Sequence, residues 1–237
     1  MIYNEVLTND LFTEDLTGER NKVQKFLRDN PQTIVDVGGA MGSWVDADEG
    51  INVTAYLDCN ATQYLSGKTN AFLFDGNISD SEGWEGILRE VDSFGKFDFG
   101  VCTQTLEDIR NPSLVLQMLP KVAKAGYIDV PSKYHEFRIC ELPDPVSSWG
   151  IDSHILGYSG HRWIMNMVNK TLEMYPKLPF IEHLTALQWL RESPAEKLML
   201  CFWWKDDIPF RIVGDDFLGP NPPSIYKMYI DGLREGL

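Results

Sequence analysis

Apolar residues fall in short runs rich in Val, Ile, Phe and Tyr, and each run stops at an acid, a glycine or a proline. The runs are "TIVDVGG" from Thr33, "INVTAYLDCN" from Ile51, "NAFLFDGNI" from Asn70, "KFDFGVCTQTLED" from Lys96 and "GYIDVPS" from Gly126. Runs of this length and composition predict strands, the first of them buried. Between them the apolar spacing widens to a helical period. Residues 10–30, through "ERNKVQKFLRDNP", predict one helix that ends before Pro31, because the residue before a proline is pushed out of the helical region. "GSWVDADEG" predicts a short helix or turn. "DSEGWEGILREVDSF" predicts a helix capped by Asp80 or Ser81. "NPSLVLQMLPKVAKA" predicts another, opened by Asn111 and Pro112 and kinked or ended at Pro120. Strands that alternate with helices give an α/β fold. Its sheet is doubly wound and mostly parallel, with helices on both faces.

The second half of the chain departs from that rhythm. "HRWIMNMV" and "TLEMYPKL", separated by Asn169 and Lys170, predict a β-hairpin. "IEHLTALQWLRE" predicts the helix after strand five, and "KLMLCFWWKDD" with "PFRIVGD" a closing antiparallel pair. "GPNPPSIYKMYIDGL" predicts a proline-rich turn and a short helix. Residues 133–180 therefore form a long insertion after strand five, at the edge where such sheets bind ligands. The expectation is one domain over residues 1–237, with 133–180 as a substrate lid.

A chain of 237 residues can bury one large core. Its apolar content of 43% and charged content of 24% are those of a globular protein. The formal net charge of −14, with no Lys/Arg run, disfavours nucleic acid as a partner. Cys59, Cys102, Cys140 and Cys201 are far apart and show no C-x-x-C spacing, which argues against zinc and against a disulfide framework. The amino-terminal stretch is acidic and lacks a signal-peptide core, and no apolar run approaches the roughly 20 residues of a membrane span. A cytoplasmic setting with reduced thiols is expected.

The strand ends carry the candidate chemistry. Asp36 is followed by Gly38, Gly39, Ala40 and Gly42; the next two strands end in Asp58 and Asp75; the fourth leads into "TQTLED". In a doubly wound sheet these ends surround one crevice. Gly38 and Asp58 are 20 residues apart, the separation at which such folds place the acid that grips ribose hydroxyls. Taken singly, a glycine cluster is often a tight turn and a strand-ending Asp a cap. The dinucleotide fingerprint G-x-G-x-x-G fails, because Ala40 and Ser43 stand where it needs glycine, and no P-loop string occurs. What remains is D-x-G-x-x-x-G.

"VDVGGAMG", "YLDCN", "LFDGNI" and "FDFGVCTQTLEDIRNPSLVLQMLPKVAKAGYIDVPS" together resemble the class I S-adenosylmethionine-dependent methyltransferases, over roughly residues 30–132. The resemblance implies S-adenosyl-L-methionine as cofactor. It implies a glycine loop of Asp36, Gly38, Gly39, Ala40 and Gly42 beside the methionine part, and Asp58 on the ribose. Asp75, Gly76 and Asn77 fall by the adenine, and Thr103 at the end of the fourth strand. The chain departs from the family pattern at Ala40, where the middle glycine is usual, and at Asp108, where a histidine is usual.

Methyl transfer from a sulfonium needs an aligned nucleophile, and an alcohol or amine must also lose a proton. Glu107 and Asp108 approach from strand four; His135 lies three residues past Ser132, and His161 falls in the insertion. These four are the catalytic candidates. His154, Tyr158 and Arg162 are the substrate-binding candidates. Histidines gathered where substrate enters favour oxygen as the acceptor atom. Trp163 and His183 read as packing and Cys102 as a buried apolar residue. His135, His154, His161 and Cys140 lack recognisable ligand spacing, so no metal is expected. The expected function is methylation of a small or medium polar molecule, with no nucleic acid or membrane partner; the oligomeric state is open. The alternative is a methyltransferase-like module that binds the cofactor and regulates a partner without transfer.

Overall fold

The computed structural model describes residues 11–13, 16–30, 32–45, 50–141, 154–158, 160–178, 181, 185–192, 197–214 and 222–234. Residues 46–49, residues 142–153 in the middle of the predicted lid, and His183 lie outside them, as do the side chains of Cys140 and His154. The chain divides into two compact units. The first comprises Met1–Leu11, Asp15–Val130 and Cys201–Ile208; the second comprises Phe12–Glu14, Pro131–Leu200 and Pro209–Leu237.

A seven-stranded sheet is built from β1 (Leu11–Thr13), β2 (Ile34–Val37), β3 (Ala55–Asp58), β4 (Phe72–Asp75), β5 (Phe97–Thr103), β6 (Ala123–Pro131) and β11 (Met199–Lys205). The order is β1-β11-β6-β5-β2-β3-β4. β4, β3, β2, β5 and β6 are parallel neighbours. The Asp206 N–H donates to Lys124 O, pairing the end of β11 with the start of β6, so β11 runs antiparallel. After β4 the chain returns to the other side of β2, which puts the topological switch point between β2 and β5.

Helix α1 (Leu16–Asp29) presents Val23, Phe26 and Leu27 at helical spacing to one face of this sheet. Phe26 meets Phe99 and Trp203 with ring centroids 5.5 and 5.7 Å apart. Each buried side chain of this size contributes about 1.5–3 kcal/mol. Residues 10–30 are thus not one helix: the aromatic and β-branched "LFT" forms β1, and the helix starts at Leu16. α2 (Ala61–Leu65) follows β3 and was not anticipated. Ser81–Trp84 forms a 3₁₀ turn before α3 (Glu85–Phe94). The expected cap fails there, because the Asp80 carboxylate is taken by Arg110 and Asn77 instead.

α4 (Pro112–Val122) opens as expected: Asn111 Oδ1 accepts from Leu114 N–H at 3.3 Å, with Pro112 in the first turn. It runs two residues past Pro120 and passes straight into β6. It covers the other sheet face, with Leu119 near Gly100. Gly100 and Gly126 pair directly across β5 and β6 under the buried Trp204 indole.

The second unit contains α5 (Lys133–Glu136), β7 (Ile139–Glu141), β8 (His154–Leu156), β9 (Trp163–Val168), β10 (Thr171–Pro176), β12 (Phe210–Ile212) and α6 (Pro222–Gly232). β9 and β10 form the predicted antiparallel hairpin, and positive φ at Asn169 (49°) and Lys170 (64°) suits a tight two-residue turn. β7 pairs antiparallel with β8. The expected β11–β12 pair does not form: β12 lies parallel to β10 in a separate three-stranded sheet. The reason is burial. Residues 199–204 are buried on both faces, which requires an interior strand, whereas β12 is half-exposed and sits at an edge. Thr185–Glu192 is 3₁₀ rather than α-helical, and its buried Leu187 and Leu190 repeat every three residues, the 3₁₀ period.

Lys133 is fully buried within this unit, and its ammonium donates to Leu233 O at 3.0 Å, just past the end of α6. A cation there suits the negative end of the helix. Burial lowers its pKa to about 8, helped by the charge of Lys197 and opposed by that of Glu173. The folded pKa is below the unfolded one, so the buried charge costs most below pH 8. As pH rises from about 8 toward the ordinary lysine value, the unfolded chain holds more protons and this cost is relieved. Urea unfolding at pH 8 and pH 9.5 should therefore show wild type gaining about 2 kcal/mol relative to Lys133→Met. Parallel pH profiles for the two proteins would rule this out.

Candidate functional site

In the first unit the carboxyl ends of β2, β3 and β5 converge around the glycine turn. Gly38 has φ +84°, donates its N–H to Leu57 O at 2.9 Å, and leaves no room for a side chain: a Cβ would lie 2.4 Å from Thr105 Cγ2. Asp36 is 1% exposed and accepts from Ser43 Oγ at 2.8 Å, so it struts the loop from beneath. A Cβ on Gly39 would lie 2.2 Å from Asp36 Oδ1, so a side chain there would displace the Asp36 carboxylate. Gly42 faces open space, and Met41 beside it is 73% exposed. Ala40 is buried in the apolar cluster under α1, and its N–H donates to Asp58 Oδ2 at 3.0 Å. Burial is the main influence on the half-buried Asp58 and raises its pKa, against hydrogen bonds from the N–H groups of Ala40 and Cys59.

The remaining candidates are spread along the same edge. Asp75 is exposed, and its Oδ1 accepts from Thr62 N–H at 2.8 Å in the first turn of α2. Gly76 packs on Gly83: a Cβ would lie 2.2 Å from Gly83 O. Asn77 is exposed and bonds Asp80 and the Ser79 N–H. Thr103 Oγ1 accepts from Trp44 Nε1 at 2.6 Å. Glu107 is 1% exposed, whereas Asp108 is open to solvent.

Four residues at this edge escaped the sequence reading. Arg20 donates to both oxygens of the fully buried Asp129 at 3.2 Å, and Gln104 Nε2 adds a third bond at 2.9 Å. The Arg20 guanidinium also lies 5.5 Å from the Trp44 ring centre. An acid inside the otherwise apolar "GYIDVP" was the available signal. Cavities of about 580 and 240 Å³ open among residues 50–54, 68–72 and 94–97. These lie toward the amino ends of β3, β4 and β5, opposite the edge where such folds bind ligands. The strand order, with its switch point beside the glycine turn, makes the first unit a Rossmann-like, doubly wound α/β fold.

No family model matches the chain, and no curated protein matches it. Solved structures do. An S-adenosylmethionine-dependent methyltransferase from Mesorhizobium loti aligns at TM-score 0.42 and 11% identity, over 80% of this chain and 98% of that one. The N-terminal domain of EvdMO1 with bound S-adenosylhomocysteine aligns at 0.39 and 14%, over 86% and 84%. The glycopeptide N-methyltransferase MtfA, complexed with S-adenosylhomocysteine, aligns at 0.39 and 10%, over 81% and 90%. Among the described residues no helix is long and apolar enough to cross a membrane.

The second unit holds a separate cluster. Ser132 caps α5 by accepting from Tyr134 N–H, which fixes the turn carrying His135 and Glu136. The Glu136 side chain is fully buried. Its Oε1 faces His161 Nδ1 at 2.6 Å and His135 Nδ1 at 3.4 Å, and its Oε2 accepts from the Lys177 ammonium. Burial alone would raise its pKa; hydrogen bonds from His135 and His161 and the charge of Lys177 overcome this and set it at about 2. The Tyr158 ring is 61% exposed and its centroid lies 4.9 Å from that of His161. Arg162 is exposed. Two of the predicted histidines are thus brought together, while the side chain of His154 lies outside the described residues. Glu136 and Lys177 were missed; adjacency of Glu136 to His135 was a weak signal, and Lys177 had none. The ligand atoms of His135, Glu136 and His161 lie within 4.8 Å of one another. A divalent cation there would meet the Lys177 ammonium on the same carboxylate.

Proposed function

We propose that the chain binds S-adenosyl-L-methionine in the first unit and methylates a small or medium polar acceptor at oxygen. The observation that carries this is the glycine turn tied to Asp58: bare backbone at Gly38 and Gly42, with a strand-end carboxylate bonded to the same loop at Ala40. The residues present fit the cofactor. A carboxylate has about four lone-pair sites, so Asp58 keeps acceptor capacity for a ribose diol beyond the bonds from Ala40 and Cys59. The open side of Gly42 leaves room for the methionine portion. Asp36 supports the loop rather than touching the ligand. Asp75, Gly76 and Asn77 are proposed beside the adenine and Thr103 at the far side of the turn. When bound, the cofactor supplies a methyl group on a sulfonium. His135, His161, Glu107 and Asp108 are the proposed proton acceptors, and His154, Tyr158 and Arg162 the proposed substrate contacts.

Thermal denaturation tests the cofactor. Saturating S-adenosylhomocysteine should raise Tm, because a ligand that binds only the folded state stabilises it by mass action, about 2.7 kcal/mol at one hundred times Kd. NAD should leave Tm unchanged. A shift with NAD and none with S-adenosylhomocysteine sinks the proposal. Binding without transfer to any of a broad panel of acceptors would favour the regulatory-module reading.

A further inference from the structure

Three potential ligand atoms of the second unit converge on one point. His135 Nδ1 and His161 Nδ1 both face Glu136 Oε1, at 3.4 and 2.6 Å, and all three atoms lie within 4.8 Å of one another. A buried carboxylate needs one counter-charge, and Lys177 supplies it. The Lys177 ammonium donates to Glu136 Oε2 and, at 2.8 Å, to Tyr158 O. That pair would be complete without either imidazole. The backbone is nevertheless shaped to bring the imidazoles in. Gly157 has φ +61°, and a Cβ on it would lie 2.6 Å from Glu136 Oε2. Its N–H donates to Arg138 O at 2.8 Å, and the His161 N–H donates to Tyr158 O at 3.2 Å. The turn that carries His161 is thereby held against the turn that carries His135 and Glu136.

We propose that His135 Nδ1, His161 Nδ1 and Glu136 Oε1 bind a single zinc ion, with water in the fourth position. The site lies wholly within the second unit and stands independently of the methyl-transfer reading. Two imidazoles and one carboxylate form a donor set that suits zinc and leaves one position open. In a tetrahedral site with ligands at about 2.0–2.1 Å, neighbouring ligand atoms stand about 3.3 Å apart. The His135–Glu136 edge, at 3.4 Å, already matches. The His161–Glu136 edge, at 2.6 Å, has to open by about 0.7 Å. The imidazole–imidazole edge has to close from at most 4.8 Å. The His135 side chain is 27% exposed against 10% for His161, so it has the room to turn, and the open position falls on its side. Lys177 does not compete for the ligand oxygen. The carboxylate lies between the two cations and gives one oxygen to each, so Glu136 binds the metal through Oε1 alone. An outer hydrogen bond of this kind ordinarily orients a ligand carboxylate. The ammonium also lowers the attraction for any dication. Magnesium and calcium, which bind through oxygen and charge, are therefore excluded, and zinc is retained by its two nitrogen ligands. Zinc on Nδ1 leaves each ring proton on Nε2, so of the proton acceptors proposed above it leaves Glu107 and Asp108.

The test is a metal titration of the full chain after treatment with a chelator. Isothermal titration with zinc chloride should show one ion per chain. Zinc should raise Tm, because it binds only where folding has brought the three ligands together, and magnesium or calcium should leave Tm unchanged. His135→Gln and His161→Gln should each weaken zinc binding by ~10²-fold or more. Cys59→Ser, which removes an exposed thiol, should leave it unchanged. Cobalt(II) provides a readout on the wild type that needs no variant. It should give the intense visible bands of a four-coordinate site built from nitrogen and oxygen, with no thiolate charge-transfer band. If either histidine variant fails to fold, as judged by circular dichroism, the cobalt spectrum decides. Absence of zinc binding overturns the proposal, as does binding that is as tight in either folded histidine variant as in the wild type. A thiolate band, the weak spectrum of six-coordinate cobalt, or a magnesium or calcium effect equal to that of zinc overturns it as well.

Discussion

Asp58→Ala is expected to bind S-adenosylhomocysteine about ten- to hundredfold more weakly than the wild type. A hydrogen bond to an ionised group contributes roughly 1.5–3 kcal/mol, and water in the truncated site recovers part of what two such bonds to the ribose provide. The substitution also removes the acceptor for Ala40 N–H, so the loop loses a tether at the same time. Asp58→Asn separates the two effects, because its amide oxygen can still accept from Ala40 while the charge is gone. Isothermal titration should rank the affinities wild type, Asn, Ala, with unfolding midpoints in urea close together. Undiminished affinity in Asp58→Ala would reduce Asp58 to a strand-end tether for the loop.

Gly126→Val should destabilise the first unit by more than about 3 kcal/mol and leave little folded protein at 37 °C. Gly126 lies in the middle of β6, directly across from Gly100 in β5, and the Trp204 indole covers the pair. A single Cβ would sit 2.1 Å from Gly100 O and 2.6 Å from Trp204 Cζ2. Overpacking a core ordinarily costs about 1–3 kcal/mol, and here the obstruction is backbone that cannot rotate away. Trp204→Ala in the same chain removes only the indole clash, so it should rescue poorly. Gly100→Ala is the milder control, with its nearest obstacle the Ala123 Cβ at 3.1 Å. Circular dichroism with urea titration measures all three, and a Gly126→Val protein of near wild-type stability would show that the strands part easily at that point.

The parallel sheet was legible because each strand is an apolar run closed by an acid, a glycine or a proline, and Asn169–Lys170 announced its hairpin by turn chemistry alone. The glycine turn was legible for the same local reason: Gly38 and Gly39 are bare because of contacts formed a few residues away or across one neighbouring strand. What failed was pairing over distance. "PFRIVGD" follows "KLMLCFWWKDD" directly, and adjacency suggested a hairpin; burial on both faces drew β11 into the large sheet instead. The Glu136 cluster was illegible for a related reason. His161 comes 25 residues after Glu136, and no periodicity within a strand or helix records a meeting made by tertiary folding. Asp129 is similar: its partner Arg20 lies 109 residues away.

β11 lies beside β6 in the sheet but follows it in the chain by the whole segment 132–198. On a ribosome adding about 5–20 residues per second, those roughly seventy residues take about 4–14 s. Throughout that interval β6 offers an unpaired edge along nine residues that, apart from Lys124, end up buried. An exposed edge of this kind is a template for foreign strands. The hazard for this protein therefore falls on the nascent chain more than on the finished one. Its yield in a host should depend on chaperones that shield emerging chains, and a circular permutant in which residues 197–208 precede residue 123 should depend on them less.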